Sequence, residues 1–305
     1  MAIKIYTDAS SNLFKKILDD KGLDIVVLPM TLEIDDKKYI CYKDDIDVEE
    51  MSKDFYLKMQ EGLRPKTSLI SPGLFMESCQ EEIKKGNKVI YISLASGISG
   101  SFQSATLIKN QINEEYNDYI VEVIDSKTAG FGEGMIAIKA FNYVKEGLEF
   151  QDVVKKTNEY VYNVRSEFTV DNIQYLAQTG RVSKLASTIA SVLSIKPLLY
   201  GSNEGKIEVT SKVRGRNMAI NALADQVIKN IKDKNSLVYI AHCNSIDYAN
   251  KLKDLLNKAD INNIEIYYYD LVTGAHVGPG TIAVFYEGET REIEKKNFIQ
   301  SFLHK

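Results

Sequence analysis

The feature that most constrains this chain is its alternation of short strand-like runs with helical ones across roughly the first half. Ile3-Lys4-Ile5-Tyr6-Thr7 alternates like a strand, and Ser10 to Lys21 then carries Leu13, Phe14, Ile17 and Leu18 at helical spacing before Gly22. Asp24 to Pro29 reads as a second strand, and Met30 to Ile40, with Asp35-Asp36 between alternating segments, as a hairpin. Val48 to Glu61 predicts a helix, and Ser71-Pro72 opens another with a serine cap and a proline in the first turn. Lys88 to Ser93 and Asp118 to Ile124 are strands, each followed by a small-residue loop and a helix. Such βαβ units require a mainly parallel sheet with flanking helices.

After about Tyr162 the texture changes. Ile195 to Tyr200 and Lys206 to Val213 flank Ser202-Asn203-Glu204-Gly205, a hairpin signal within a second α/β domain. With 305 residues, 44% of them hydrophobic, two compact units are affordable. The expected division is an N-terminal α/β domain over 1–162, a C-terminal α/β domain over 163–288 and a charged extension over 289–305, which carries apolar Ile293, Phe298, Ile299, Phe302 and Leu303 and reads as a terminal helix.

Several function classes are disfavoured. A net charge of −4, with Lys and Arg spread along the chain, lacks the footprint of a nucleic-acid binder. The N-terminus meets charge before a signal core could form, and no apolar run nears the ~20 residues of a membrane span, so a cytoplasmic protein is expected. Cys41, Cys79 and Cys243 are odd in number and far apart, indicating neither disulfides nor a zinc site. No metal and no cofactor are expected, since the chain has no phosphate loop of the G-x-x-x-x-G-K-[ST] type.

Three clusters could carry chemistry. Ile92 to Ala105 sets serines and glycines between a strand and a helix, where unpaired helix N–H groups and hydroxyls can hold an anion or simply cap the helix. Pro65 to Pro72 is a second hydroxyl cluster, again able to cap or to bind an acidic ligand. In Thr273 to Gly280 a lone histidine stands in a loop as a possible donor. The turn Ala129 to Ala137 contains G-x-G-x-x-A, but it is separated from its strand by Asp125-Ser126-Lys127-Thr128 and is discounted as a dinucleotide fingerprint. Gly97-Ile98-Ser99-Gly100-Ser101 nearly matches a nucleophile elbow, which leaves a serine hydrolase or esterase using Ser99, His276 and Asp270 as the alternative.

Seven short motifs occur in one order over residues 3 to 287: Thr7-Asp8, Thr67-Ser68, Ser96 to Ala105, Asp125-Ser126, Gly180-Arg181-Val182-Ser183, Ile195-Lys196-Pro197-Leu198 and Gly274 to Gly280. Together they resemble the DegV family. The resemblance implies two α/β domains with a long-chain fatty acid between them, and a non-catalytic role as the acyl-binding subunit of a separate fatty acid kinase. It implies carboxylate contacts at Thr67, Ser68, Ser96, Ser99, Gly100, His276 and Gly278, no catalytic residue, and kinase-docking candidates at Arg181, Arg214 and Arg216. Ala9 stands where the family commonly has a hydroxyl, and no ligand role is carried there.

Overall fold

The structure is a computed structural model that describes residues 2–34, 37–41, 48–182 and 194–291. The hairpin turn expected at Asp35-Asp36, Ser183 of the Gly180 motif, and all but the first three residues of the charged extension lie outside the described residues.

The first sheet has the order β2-β1-β6-β7 and is parallel throughout. It is built from β1 (Ile3–Asp8), β2 (Ile25–Leu28), β6 (Lys88–Ser93) and β7 (Val121–Asp125). Residues Val89 to Ile92 of β6 are completely buried, as a strand covered on both faces requires. Helices α1 (Lys15–Lys21), α3 (Pro72–Lys84) and α4 (Ser101–Tyr116) flank this sheet. Ser71 caps α3 through Leu74 N–H with Pro72 in its first turn, as the sequence predicts. The expected helix from Ser10 is shorter: Ala9–Ser11 form a 3₁₀ turn, and Asn12 at φ +61° separates it from α1.

A small antiparallel sheet, β4-β3-β5, sits between α1 and α3 in the chain. It pairs β3 (Met30–Ile34) with β4 (Lys37–Cys41) and with the two-residue β5 (Lys66–Thr67), while α2 (Val48–Gln60) connects β4 to β5. Thr67 pairs with Leu32, which is buried, so this register turns the Thr67 side chain inward.

The second sheet, β10-β9-β8-β13-β11-β12, is mixed. Only β11 (Val238–His242) and β12 (Ile264–Tyr268) run parallel; β8 (Val164–Thr169), β9 (Ile195–Gly201), β10 (Ile207–Arg214) and β13 (Ile282–Glu287) add antiparallel pairs. The predicted β9–β10 hairpin is present, turning through Ser202 to Gly205. Helices α8 (Arg216–Asn230) and α9 (Ile246–Asn257) build a separate core on this sheet from Ile220, Leu223, Val227, Leu252 and Leu256 against Ile240 and Val284.

Between α4 and the second sheet come α5 (Phe131–Lys145) and α6 (Phe150–Tyr160); the short α7 (Gln174–Gln178) follows β8, and α10 (Leu271–Val277) precedes β13. Helix α5 touches β1 and β6 of the first sheet and β8 and β13 of the second, and every residue from Phe131 to Ala137 is buried. Phe131 stacks on Tyr239 at 4.3 Å and meets Phe285 edge-on. The first two turns of α5 are buried on all sides and, apart from Glu133, carry no charge, and the Gly-rich stretch read as a turn continues into this helix. The two glycines inside it fit close packing: a Cβ on Gly134 would lie 2.5 Å from the Ser11 carbonyl oxygen, and one on Gly132 would collide with Thr128. They serve contact with the protein's own chain, which agrees with discounting a dinucleotide site. All three cysteines are buried and free.

Candidate functional site

The loops that follow β6 and β7 meet β5, α7, α10 and the β9–β10 hairpin around a cleft of about 970 Å³, its open mouth included. Its walls are apolar, with Leu94, Ile98, Phe168, Leu176, Val272 and Phe285 among them. Its polar groups include Thr67, Ser68, Ser99, Arg181, Thr273 and His276. Apolar walls with hydroxyls and the cations Lys127, Arg181 and Lys206 suit a ligand that is mostly hydrocarbon with one anionic end.

His276 lies in the last turn of α10 rather than in the loop expected from its glycine neighbours. Its Nε2 is 2.8 Å from Thr67 Oγ1. Burial and the nearby Arg181 guanidinium push its pKa down to about 4, so the ring is neutral at pH 7. Nδ1 is buried without a hydrogen-bond partner among the described residues. When Nε2–H donates to Thr67 Oγ1, the threonine hydroxyl proton is free to donate onward to an anion in the cleft; the other tautomer spends that proton on the ring. An acidic ligand therefore selects the first arrangement. Ser68 Oγ accepts from Thr31 N–H at 3.1 Å, which fixes it and leaves its own proton to give.

Across the mouth, Ser99 and Gly100 precede α4, whose N-cap Gly100 offers no side-chain acceptor. The Ser101 N–H donates to Ser99 Oγ at 3.2 Å and the Ser99 and Ser101 hydroxyls are 3.1 Å apart, so the Ser99 hydroxyl sits at the positive end of the helix dipole. The cleft thus gathers Thr67, Ser68, Ser99, Gly100 and His276 from the sequence-derived set. Ser96 and Gly278 are not in its lining. Ser96 instead donates its N–H to Asp125 Oδ1, and Gly278, at φ +80°, packs so closely on Tyr175 that a Cβ would collide with the ring.

The three arginines fall in different settings. Arg181 lines the cleft, half-buried, with Nη1 donating to the Thr179 carbonyl. Arg214 is exposed at the end of β10. Arg216 is folded inward, its Nη2 donating to the Gly280 carbonyl and its guanidinium 5.2 Å from the Tyr248 ring centre. Sequence reasoning missed Lys127 and Lys206, which also line the cleft; Lys127 is held by Asp125 at 2.7 Å, and Lys206 is exposed. Nothing in their local sequence marks them, because the hairpin carrying Lys206 reaches the first sheet's loops only through the tertiary fold. That contact is tight: a Cβ on Gly97 would lie 2.5 Å from the Gly205 carbonyl oxygen.

The hydrolase alternative is not assembled. His276 Nε2 faces Thr67 rather than Ser99, and Ser99 Oγ is paired with Ser101. Asp270 caps α10 by accepting from Thr273 N–H at 2.7 Å rather than orienting the histidine. Among the described residues no group of acidic, histidine or cysteine side chains could hold a metal ion, and no helix is long and apolar enough to cross a membrane.

Comparison with known proteins agrees with this architecture. Residues 2–289 match the family model described as "Uncharacterised protein, DegV family". A DegV domain-containing protein of Clostridium perfringens is 33% identical over 290 residues, covering 94% of this chain and 98% of its own. A solved structure described as a fatty acid binding DegV family protein from Streptococcus agalactiae is 28% identical, with a TM-score of 0.83, covering 95% of this chain and all of its own. A DegV family protein from Ruminococcus gnavus refined with vaccenic acid is 27% identical, with a TM-score of 0.78 over 93% of this chain and 99% of its own. With its fold, motif order and nearly full-length matches in agreement, the chain belongs to the DegV family.

Proposed function

We propose that this chain binds a long-chain fatty acid in the cleft, in the cytoplasm, and presents its carboxylate to a separate fatty acid kinase that makes the acyl phosphate. The observation that carries the reading is the Thr67–His276 pair in the lining of a largely apolar cleft. A relative described as fatty acid binding and another refined with vaccenic acid support it.

The energetics are adequate. At about 0.8 kcal/mol per buried CH₂, roughly 15 methylenes contribute on the order of 12 kcal/mol before association costs. The carboxylate loses water on entry, and hydroxyl and helix N–H donors compensate it without the penalty of burying a counter-charge. The chain itself performs no chemistry on the ligand. It orients the carboxylate, the kinase supplies ATP and magnesium, and an exposed cation such as Arg214 steers the acidic partner. The carboxylate contacts are Thr67, Ser68, Ser99, Gly100 and His276.

The test is reconstitution. Purified chain with a long-chain fatty acid and ATP should make no acyl phosphate, and addition of a fatty acid kinase should produce it. Formation by the chain alone, or failure to take up fatty acid at saturation in calorimetry, refutes the proposal.

A further inference from the structure

Beneath the cleft, and unused by the function proposed above, two carboxyl groups are buried together. Asp8 ends β1, and Glu133 lies in the first turn of α5. Ser10 Oγ sits between them, 2.5 Å from Asp8 Oδ1 and 2.9 Å from Glu133 Oε2. Tyr91 donates to Asp8 Oδ2 at 2.6 Å, Ser10 N–H to Asp8 Oδ1 at 2.9 Å, and Thr7 to Glu133 Oε1 at 2.6 Å. Both carboxyls are wholly shielded from solvent.

Proton counting is decisive. The Ser10 hydroxyl has one proton, yet it contacts a carboxyl oxygen on each side. With both acids ionised, one of those contacts would set two lone-pair oxygens face to face in a low-dielectric interior. One additional proton completes the chain: Thr7 donates to Glu133, the protonated Glu133 donates to Ser10, and Ser10 donates to Asp8, which also accepts from Tyr91. Outside the bridge, Asp8 accepts from the Tyr91 hydroxyl and from the Ser10 and Leu94 backbones, whereas Glu133 accepts from Thr7 alone, so the proton resides on Glu133. The titratable groups facing the pair are Asp270 at the start of α10, Tyr91 and Tyr269, all acidic, so none stabilises a second negative charge. Burial and the Asp8 charge accordingly push the Glu133 carboxyl well above the usual range.

The same loop braces both walls of the cleft. The Ser10 carbonyl accepts from Gly130 N–H at 2.8 Å, at the turn that follows the cleft-lining Lys127, Thr128 and Ala129. Two residues on, Asn12 Oδ1 accepts from Asp270 N–H at 2.7 Å, where α10, the carrier of His276, begins. We infer that Glu133 and Asp8 share one proton through Ser10, and that this proton makes Glu133 a positioning residue for the turn that floors the cleft.

Glu133→Gln tests this, because the amide can still accept from Thr7 and donate to Ser10 but cannot titrate. Protonated Glu133 favours the folded state, so its stability contribution is complete below the unfolded carboxyl value and is lost as pH rises through the folded one. Above the unfolded carboxyl value of about 4.3, the folding constant of the parent should fall with pH relative to Glu133→Gln, by up to about tenfold per pH unit until the folded value is passed. Amide-exchange protection of Gly130, corrected for intrinsic rate, should drop at least about tenfold over the same range in the parent only. In parent protein carrying ¹³C-labelled glutamate, infrared spectra should contain a protonated-carboxyl band at neutral pH. Parallel pH curves for the two proteins, or absence of that band, overturns the inference. None of these readouts requires a bound fatty acid, so they stand apart from the functional proposal.

Discussion

Thr67→Val is the sharpest perturbation of the proposed carboxylate site, because it keeps the shape of the side chain and removes only the hydroxyl. In the parent, Thr67 Oγ1 lies 2.8 Å from His276 Nε2 and its proton is available to the ligand. The variant therefore loses one hydrogen bond to a charged group, about 1.5–3 kcal/mol, which corresponds to about 10- to 150-fold in Kd. It also leaves both nitrogens of a largely enclosed imidazole without a partner, since Nδ1 already has none among the described residues. That costs about 1–3 kcal/mol of folding stability when the cleft is unoccupied. The assay is a calorimetric titration with a long-chain fatty acid, beside a urea melt of delipidated protein. Ser96→Ala is the matched control: its hydroxyl is not in the cleft lining, so Kd should stay within about twofold of the parent. Normal affinity in Thr67→Val, or a greater loss in Ser96→Ala, would show that the carboxylate is held elsewhere.

Three other expectations rest on separate readouts. Gly97→Ala should destabilise the chain by about 1–3 kcal/mol, read as a lower urea midpoint at unchanged m-value, because its Cβ would press on the Gly205 carbonyl oxygen. Burial depresses His276 and His242 to about 4, so their contribution is complete above the unfolded value near 6.5 and is lost as pH falls toward 4; a melt series should give a flatter acid limb for His276→Gln than for the parent. Arg214→Ala should leave fatty acid affinity unchanged while lowering acyl-phosphate formation with the kinase, and equal turnover would remove Arg214 from the docking surface.

What the sequence disclosed followed local chemistry. The Ser71-Pro72 start, the βαβ alternation and the Ser202 to Gly205 hairpin are each encoded within a few residues, and each is present in the fold. Periodicity failed where burial overrides it: Gly132 and Gly134 resemble a loop, yet α5 is enclosed between two sheets and needs those glycines for close contact. The hydroxyls of the site were visible as helix-start clusters. The family resemblance put Thr67 and His276 at one carboxylate, but their hydrogen bond, across 209 residues of sequence, had no local signature and needed the fold. Residue placement within the loop after β6 also needed the fold, which lines the cleft with Ser99 and gives Ser96 N–H to Asp125. Arg216 likewise reads as a surface cation beside Arg214, until the chain turns it onto Tyr248 and the Gly280 carbonyl.

The most direct test of the central claim is denaturing solvent extraction of the purified chain followed by mass spectrometry, with parallel uptake of added fatty acid by delipidated protein. A fatty acid binder should yield close to one long-chain acyl carboxylate per chain and saturate at the same ratio when reloaded. An extract without acyl chains, together with no saturable uptake by folded protein, would contradict it.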